Sequence, residues 1–273
     1  MKKTFFIESI YLILLGALTS LSLPPFNYFI INFLTLSLFY VFLVNKFKFH
    51  KDKKNFFIYG WFFGFGYFVS NLYWISISLT FDQSFKFLIP FTVILIPAFL
   101  SLFYSLISYF FVILKPEKYL SSFFLFSVIF SIIEFIRGTV LTGFPWNLIA
   151  YSFSNQVEII NITSIIGTYG FNLFCISLFT SPTLLILRDG KREIGVFFGI
   201  LTVMLSFYVF GNQNLKKFNN KEIESHDFKI RVISSKVSID RFYDQIDPVS
   251  VIEDLIEISS PPENDKVIFI WPE

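Results

Sequence analysis

The sequence predicts a multi-pass α-helical membrane protein of about seven helices, followed by a short segment whose strand–helix–strand order opens an α/β domain. Three observations carry this. The 273 residues are 54% hydrophobic and 15% charged, where a soluble domain carries about 25% charged residues, and the mean hydropathy is +0.65. The apolar residues collect in charge-free runs of bilayer length. Charge is also split unevenly: residues 1–215 hold 14 basic and 8 acidic side chains, and residues 216–273 hold 8 and 12. An ordinary soluble enzyme of this length has no room to cover so much apolar surface, and a disordered chain is excluded by the same composition. A single cysteine, Cys175, excludes a disulfide framework and a cysteine-rich metal site. Nothing in the sequence calls for a cofactor.

A helix needs about 20 apolar residues to cross a bilayer core. Ser9 to Asn45 is free of charge and long enough for two spans. Pro24-Pro25-Phe26-Asn27 is the break between them, because proline cannot continue a helix and biases the residue before it away from helical geometry. Asn55 to Phe81 is the third span. Phe87 to Leu114 is the fourth, with Pro90 and Pro97 as expected kinks. Tyr119 to Phe135 is the fifth and carries Glu134 near its end. Ile159 to Leu187 and Ile194 to Phe210 are the sixth and seventh. Gly60, Gly64 and Gly66 suit close helix approach. Trp61 and Trp74 read as packing or interfacial residues, and Asn71, Asn147 and Asn172 as hydrogen-bonding groups between helices. Lys2 and Lys3 before an apolar run resemble a signal peptide, but no small-residue cleavage site follows, so the first run is taken as a span.

The loops set an orientation. Lys2, Lys3, Lys46, Lys48, Lys51, Lys53, Lys54, Lys115, Lys118, Arg188, Lys191 and Arg192 all fall on alternate connections, and the opposite side has only Lys86 and Arg137 before residue 216. By the positive-inside rule the N-terminus is cytoplasmic. Seven crossings then put residues 216–273 on the outer, periplasmic side of a bacterial inner membrane. The basic residues form no organised patch, so no nucleic-acid partner is expected.

Residues 216–227 read as a polar linker. Phe228 to Ser234 alternates like a strand. Asp247-Pro248 starts a helix, with Asp as cap and Pro at the first helical position. Its Val251, Ile252, Leu255 and Ile256 share one face. Val267 to Trp271 is a continuous apolar run, as expected of a strand buried on both faces. A segment of this size cannot close a covered sheet, so the chain is expected to continue past Glu273. His50 and His226 are single and polar-flanked, and carry no ligand expectation.

Two runs are more specific. One is Glu134-Phe135-Ile136-Arg137-Gly138-Thr139-Val140-Leu141-Thr142-Gly143-Phe144-Pro145-Trp146, and the other is Trp271-Pro272-Glu273. In this order they resemble bacterial apolipoprotein N-acyltransferase. Pro24-Pro25-Phe26, the run Gly60-Trp61-Phe62-Phe63-Gly64-Phe65-Gly66 and Trp74-Ile75-Ser76-Ile77-Ser78 add to the likeness. The resemblance covers all of these residues and about the first half of a family member.

It implies a membrane helical domain over residues 1–215, a linker over 216–227, and over 228–273 the first βαβ portion of an αββα nitrilase-like (carbon–nitrogen hydrolase) domain, cut short. It implies an acyl chain moved from a membrane phospholipid to the α-amino group of a diacylglyceryl-cysteine lipoprotein, through a thioester on a Glu–Lys–Cys triad. Of that triad only Glu273 maps onto this sequence, as general base. The Lys and Cys would lie further along, so the chain as given is expected to be inactive alone. Cys175, inside an apolar span, is no substitute.

The same resemblance nominates a substrate-facing group: Glu134, Arg137, Thr142, Gly143, Phe144, Pro145 and Trp146 at the outer boundary, and Tyr243. Tyr243 stands where the family has a Trp, after a stretch, Ser234 to Phe242, that departs from the family pattern. Glu134 and Arg137 are three apart on one helix face. They either orient the Thr142–Trp146 loop or grip a phosphate, or simply make the helix end tolerable in lipid. Two other functions stay open at this point: a non-catalytic scaffold that binds lipid or lipoprotein, and a multi-span transporter. The transporter would be expected to show ionisable groups in several spans, which these spans lack.

Overall fold

The protein is described by a computed structural model over residues 2–49, 52–141, 143–221, 228–234, 247–260 and 266–271. Helices α1 (Lys2–Ser20), α2 (Ile31–Phe49), α3 (Lys53–Leu72), α4 (Ile89–Leu114) and α5 (Tyr119–Thr139) are followed by the short α6 (Val157–Ile160), α7 (Thr163–Thr180), the short α8 (Thr183–Ile186) and α9 (Arg192–Asn219). Six helical segments among the described residues are long and apolar enough to cross a membrane: 31–49, 53–80, 83–114, 119–139, 163–186 and 192–219. The first expected span is α1, 19 residues long like α2, and it packs within the bundle against α3 and α2.

The bundle buries a core of large aromatic side chains, and small residues at several helix contacts let the backbones approach closely, as expected where lipid and side chains are equally apolar and packing decides association. A methyl group at Gly16 of α1 would overlap the Phe63 carbonyl of α3, and one at Gly66 would overlap the Ile13 carbonyl. A methyl group at Gly60 would crowd the Tyr104 carbonyl, Ser105 and Ser108 of α4, and one at Gly64 would crowd Tyr104 and Ser101; the three serines lie on the buried face of α4. Phe39 of α2 stacks on Phe63 at 4.0 Å between ring centroids. Trp61 is a packing residue: its indole N–H donates to the Ala98 carbonyl at 3.1 Å and its ring stacks on Phe65. Outward-facing side chains such as Leu14, Leu34, Leu95 and Leu205 are exposed to the surroundings. Near one end, Glu8 pairs with Lys46 and accepts from the Tyr59 hydroxyl at 2.9 Å.

Several boundaries differ from the sequence expectation. The third span is α-helical only to Leu72 and then tightens to 3-10 turns over Tyr73–Thr80. A second 3-10 piece, Gln83–Leu88, leads into α4, started by the Asp82 carboxylate accepting from the Ser84 N–H. Pro90 causes no kink because it lies in the first turn of α4, where its missing N–H has no partner to lose. Pro97 does lie inside the helix, and the Ser101 hydroxyl bonds its carbonyl. The sixth span is interrupted rather than continuous. Gly167 takes φ 70°, a region open to glycine, and bends α7 near its start. The seventh helix runs on to Asn219, into what reads as linker, with Lys216 and Lys217 in its last turn where cations favour the helix dipole. Asn71 bonds the Tyr67 carbonyl one turn back in its own helix, not a neighbour.

Strands β1 (Lys229–Val232) and β2 (Val267–Ile270) flank helix α10 (Pro248–Ser259). The strands are parallel, with Lys229 opposite Val267 and Val232 opposite Ile270. The Asp247 carboxylate caps α10 by accepting from the Val249 N–H at 3.1 Å. One expectation fails here. β2 is not buried on both faces: Ile268 and Ile270 are about half exposed, and Ile230 and Val232 of β1 more so. The reason is the lack of a second layer among the described residues. One helix buries Leu255 and Ser259 but leaves Ile252 and Ile256 of its expected core face exposed.

Candidate functional site

The C-terminal turn of α5 and the loop after it form the most chemically distinct region of the bundle. Apolar periodicity continues α5 past its predicted end at Phe135, so Glu134 and Arg137 fall on one buried helix face. Their side chains are fully buried and paired, with Arg137 Nη2 donating to Glu134 Oε2 at 2.9 Å. The other guanidinium nitrogen does different work. Arg137 Nη1 donates to the carbonyl of Phe144 at 2.7 Å and to the carbonyl of Trp146 at 2.8 Å. The guanidinium carbon also lies 5.4 Å from the Phe68 ring centroid and 5.9 Å from that of Phe144, within cation–π range.

Backbone bonds finish the brace. The Val140 N–H returns to the Ile136 carbonyl, the Gly143 N–H to Val140, and the Phe144 N–H to the Arg137 carbonyl at 2.9 Å. Leu141, Gly143 and Asn147 take positive φ of 62°, 75° and 60°. Only Gly143 does so without steric cost, and a methyl group there would also crowd the Gly138 carbonyl. The Tyr67 hydroxyl of α3 donates to the Asn147 carbonyl at 2.7 Å. The Asn172 side chain of α7 accepts from the Ala150 N–H at 2.9 Å, an inter-element bond of the kind the sequence led us to expect.

Between this loop and α4 lies a pocket of about 320 Å³. Its α4 wall is Leu95, Ile96, Phe99, Leu100 and Phe103, and its other wall is Arg137, Val140, Leu141, Gly143 and Phe144. The lining is apolar except for Arg137, and the rim residues Leu95 and Phe99 are exposed on the outer face of the bundle. The pocket therefore adjoins the exposed apolar face of α4. Inside the wall, Glu134 Oε1, Arg137 Nε and the Tyr104 hydroxyl have no hydrogen-bond partner among the described residues.

The structure thus brings together Glu134, Arg137, Gly143, Phe144 and Trp146. Phe144 and Trp146 have ring centroids 5.3 Å apart, and Trp146 is about half exposed. Pro145 lies between them. Thr142, Tyr243 and Glu273 lie outside the described residues. Trp271, which follows β2 and stands two residues before Glu273, is anchored: its indole N–H donates to Ser259 Oγ at 2.9 Å, and Arg231 of β1 donates to the carbonyls of Ser259 and Ser260. Cys175 is fully buried in the apolar interior. No cluster of three or more His, Cys, Asp or Glu among the described residues is arranged to hold a metal.

Sequence reasoning missed Tyr67, Tyr104 and the α4 wall. The available signal was weak: a tyrosine in a phenylalanine-rich span has a hydroxyl that must find a partner when buried, but a sequence does not say which.

A sequence profile of the apolipoprotein N-acyltransferase N-terminal domain matches residues 15–181. Similar proteins carry the name apolipoprotein N-acyltransferase. One from Rhodopseudomonas palustris is 30% identical over 97% of this chain and 51% of its own length. One from Brucella melitensis is 28% identical over 94% of this chain and 50% of its own length. One from Rhizobium leguminosarum bv. trifolii is 32% identical over 69% of this chain. The chain spans about half the length of the first of these relatives. With more than half of its residues matched by the N-terminal domain profile, the chain belongs to the apolipoprotein N-acyltransferase family.

Proposed function

We propose that this chain supplies the membrane half, and the first part of the catalytic half, of an enzyme that acylates the α-amino group of diacylglyceryl-cysteine lipoproteins with a chain taken from a membrane phospholipid. The observation that carries this is the lateral apolar pocket walled by α4 and the Arg137-braced loop. Its shape suits an alkyl chain arriving from the bilayer, and it holds few groups that water would satisfy better. Family membership and the relatives' names support the reaction class.

In this reading the pocket admits the acyl donor, and residues 228–273 begin a nitrilase-like domain above the outer leaflet. Glu273 follows the anchored end of β2 and acts as general base. It takes the proton of a cysteine thiol supplied further along the full-length protein. The sulfur attacks the donor's ester carbonyl, a C–S bond forms, the ester C–O bond breaks, and the lysophospholipid leaves with the proton. A lysine, also supplied further along, stabilises the oxyanion. The lipoprotein amine then attacks the thioester, forming the amide and releasing the thiol.

Two experiments test this. In the full-length protein, Glu273→Gln is expected to lower thioester formation from labelled phospholipid by at least about a hundredfold, as loss of a general base does. Undiminished labelling removes Glu273 from the mechanism. For orientation, residues 1–273 carrying Cys175→Ser and Asp240→Cys, which then hold one cysteine, are expected to react with a membrane-impermeant maleimide added to intact spheroplasts. Reaction only after the membrane is opened would put this segment in the cytoplasm and overturn the proposed topology.

A further inference from the structure

We propose that Tyr67 is a positioning residue that sets the width of the lipid pocket by fixing the far end of the loop after α5. The inference rests on the reading of that pocket as the donor's way in. The loop is held from two helices. Arg137 of α5 holds the carbonyls of Phe144 and Trp146, and Tyr67 of α3 holds the next carbonyl, that of Asn147, at 2.7 Å.

Tyr67 is suited to this because it cannot swing. It is fully buried, its ring stacks on Tyr104 at 5.7 Å with planes 25° apart, and it meets the Phe68 ring edge-on at 5.2 Å. Asn147 is where a tether is needed. Its φ of 60° is a left-handed conformation, which asparagine adopts more readily than other side chains but which still lies outside the main allowed regions, and the bond from Tyr67 helps to hold it there. Released there, the loop keeps its three bonds to Arg137, two to the guanidinium and one to the backbone carbonyl, and its Trp146–Asn147 end turns about them. The Trp146 ring, 5.3 Å from that of Phe144, carries the turn to the Phe144 side chain, which forms part of the pocket wall facing Leu95 and Phe99. Tyr67 thus acts on the donor through Asn147 and Phe144, with no contact of its own.

Tyr67→Phe removes the hydroxyl and keeps the ring stack. In the full-length enzyme, the KM for phospholipid donor is expected to rise about fivefold, the loss of one buried hydrogen bond, with kcat and the KM for lipoprotein acceptor within twofold of wild type. Tyr59→Phe, which removes a tyrosine hydroxyl bond at the other end of α3, is expected to leave the donor KM unchanged. An unchanged donor KM in Tyr67→Phe, or an equal rise in Tyr59→Phe, overturns the proposal.

A second readout does not depend on turnover. A phospholipid bearing a diazirine in its acyl chain, in nanodiscs, is expected to crosslink to the α4 segment 95–103 of wild type about fivefold more than of Tyr67→Phe. Equal crosslinking overturns the tether. No thioester in wild type, with the crosslinking difference intact, overturns the acyltransferase reading and leaves the tether standing.

Discussion

The helical bundle and the segment after it bury apolar residues in opposite ways. In the bundle, Phe39, Phe63, Phe126 and Phe130 are fully buried, and glycines and serines let the helices close on one another. In the β1–α10–β2 unit, Ile230, Val232, Ile268 and Ile270 stand at least half exposed or close to it, and Leu255 is the buried apolar side chain of the helix. Both regions are rich in aliphatic and aromatic residues. The difference is the neighbour: a bundle helix meets other helices on one side and lipid on the other, whereas among the described residues the two-stranded sheet has one helix beside it and no second layer. Apolar composition therefore signals burial in the bundle and an unmet need for cover in the unit that follows.

The sharpest way to break that comparison is inside the bundle. Arg137→Ala strands the buried Glu134 carboxylate and frees two loop carbonyls. It is expected to destabilise the protein by about 3–5 kcal/mol, as removing one partner of a buried pair does, read as a lowered denaturation midpoint in micelles. Glu134→Gln combined with Arg137→Met is expected to cost less than Arg137→Ala alone, because no charge is left buried. Were the double variant the worse of the two, the pair would matter for more than its own charge balance.

The smallest effect is expected in the tail. Ile268→Ser in residues 1–273 removes a side chain that is half exposed and is expected to change stability by no more than about 0.5 kcal/mol, the range of exposed sites. A loss of several kcal/mol in the same micelle assay would mean that this strand is covered in this chain after all, and would erase the contrast between the regions.

The site shows where sequence reading stops. Glu134 and Arg137 were legible as a pair from their spacing of three on a helix. The loop from Gly143 to Trp146 was legible from its motif. That Arg137 divides its donors between Glu134 and two loop carbonyls was not, because the turn that brings Phe144 and Trp146 back onto α5 depends on positive φ at Leu141, Gly143 and Asn147. Tyr67 lies 80 residues before its partner Asn147, and no local pattern links them. The breaks at Gly167 and Leu72 were missed for the opposite reason: hydropathy reads a run of apolar residues as continuous whether or not its backbone is.

What the sequence by itself determined is the membrane character of the helical part that it bounds at residue 215, the βαβ order of the tail, and the family. These follow from composition, run length and local motifs, which act through hydration and backbone geometry close along the chain. Only the tertiary structure decided which face of each helix turns inward, and that α4, the last turn of α5 and the braced loop after it line a pocket. Those outcomes depend on which surfaces meet across dozens of residues, and close packing between helices is set by shape rather than by the hydropathy of either one.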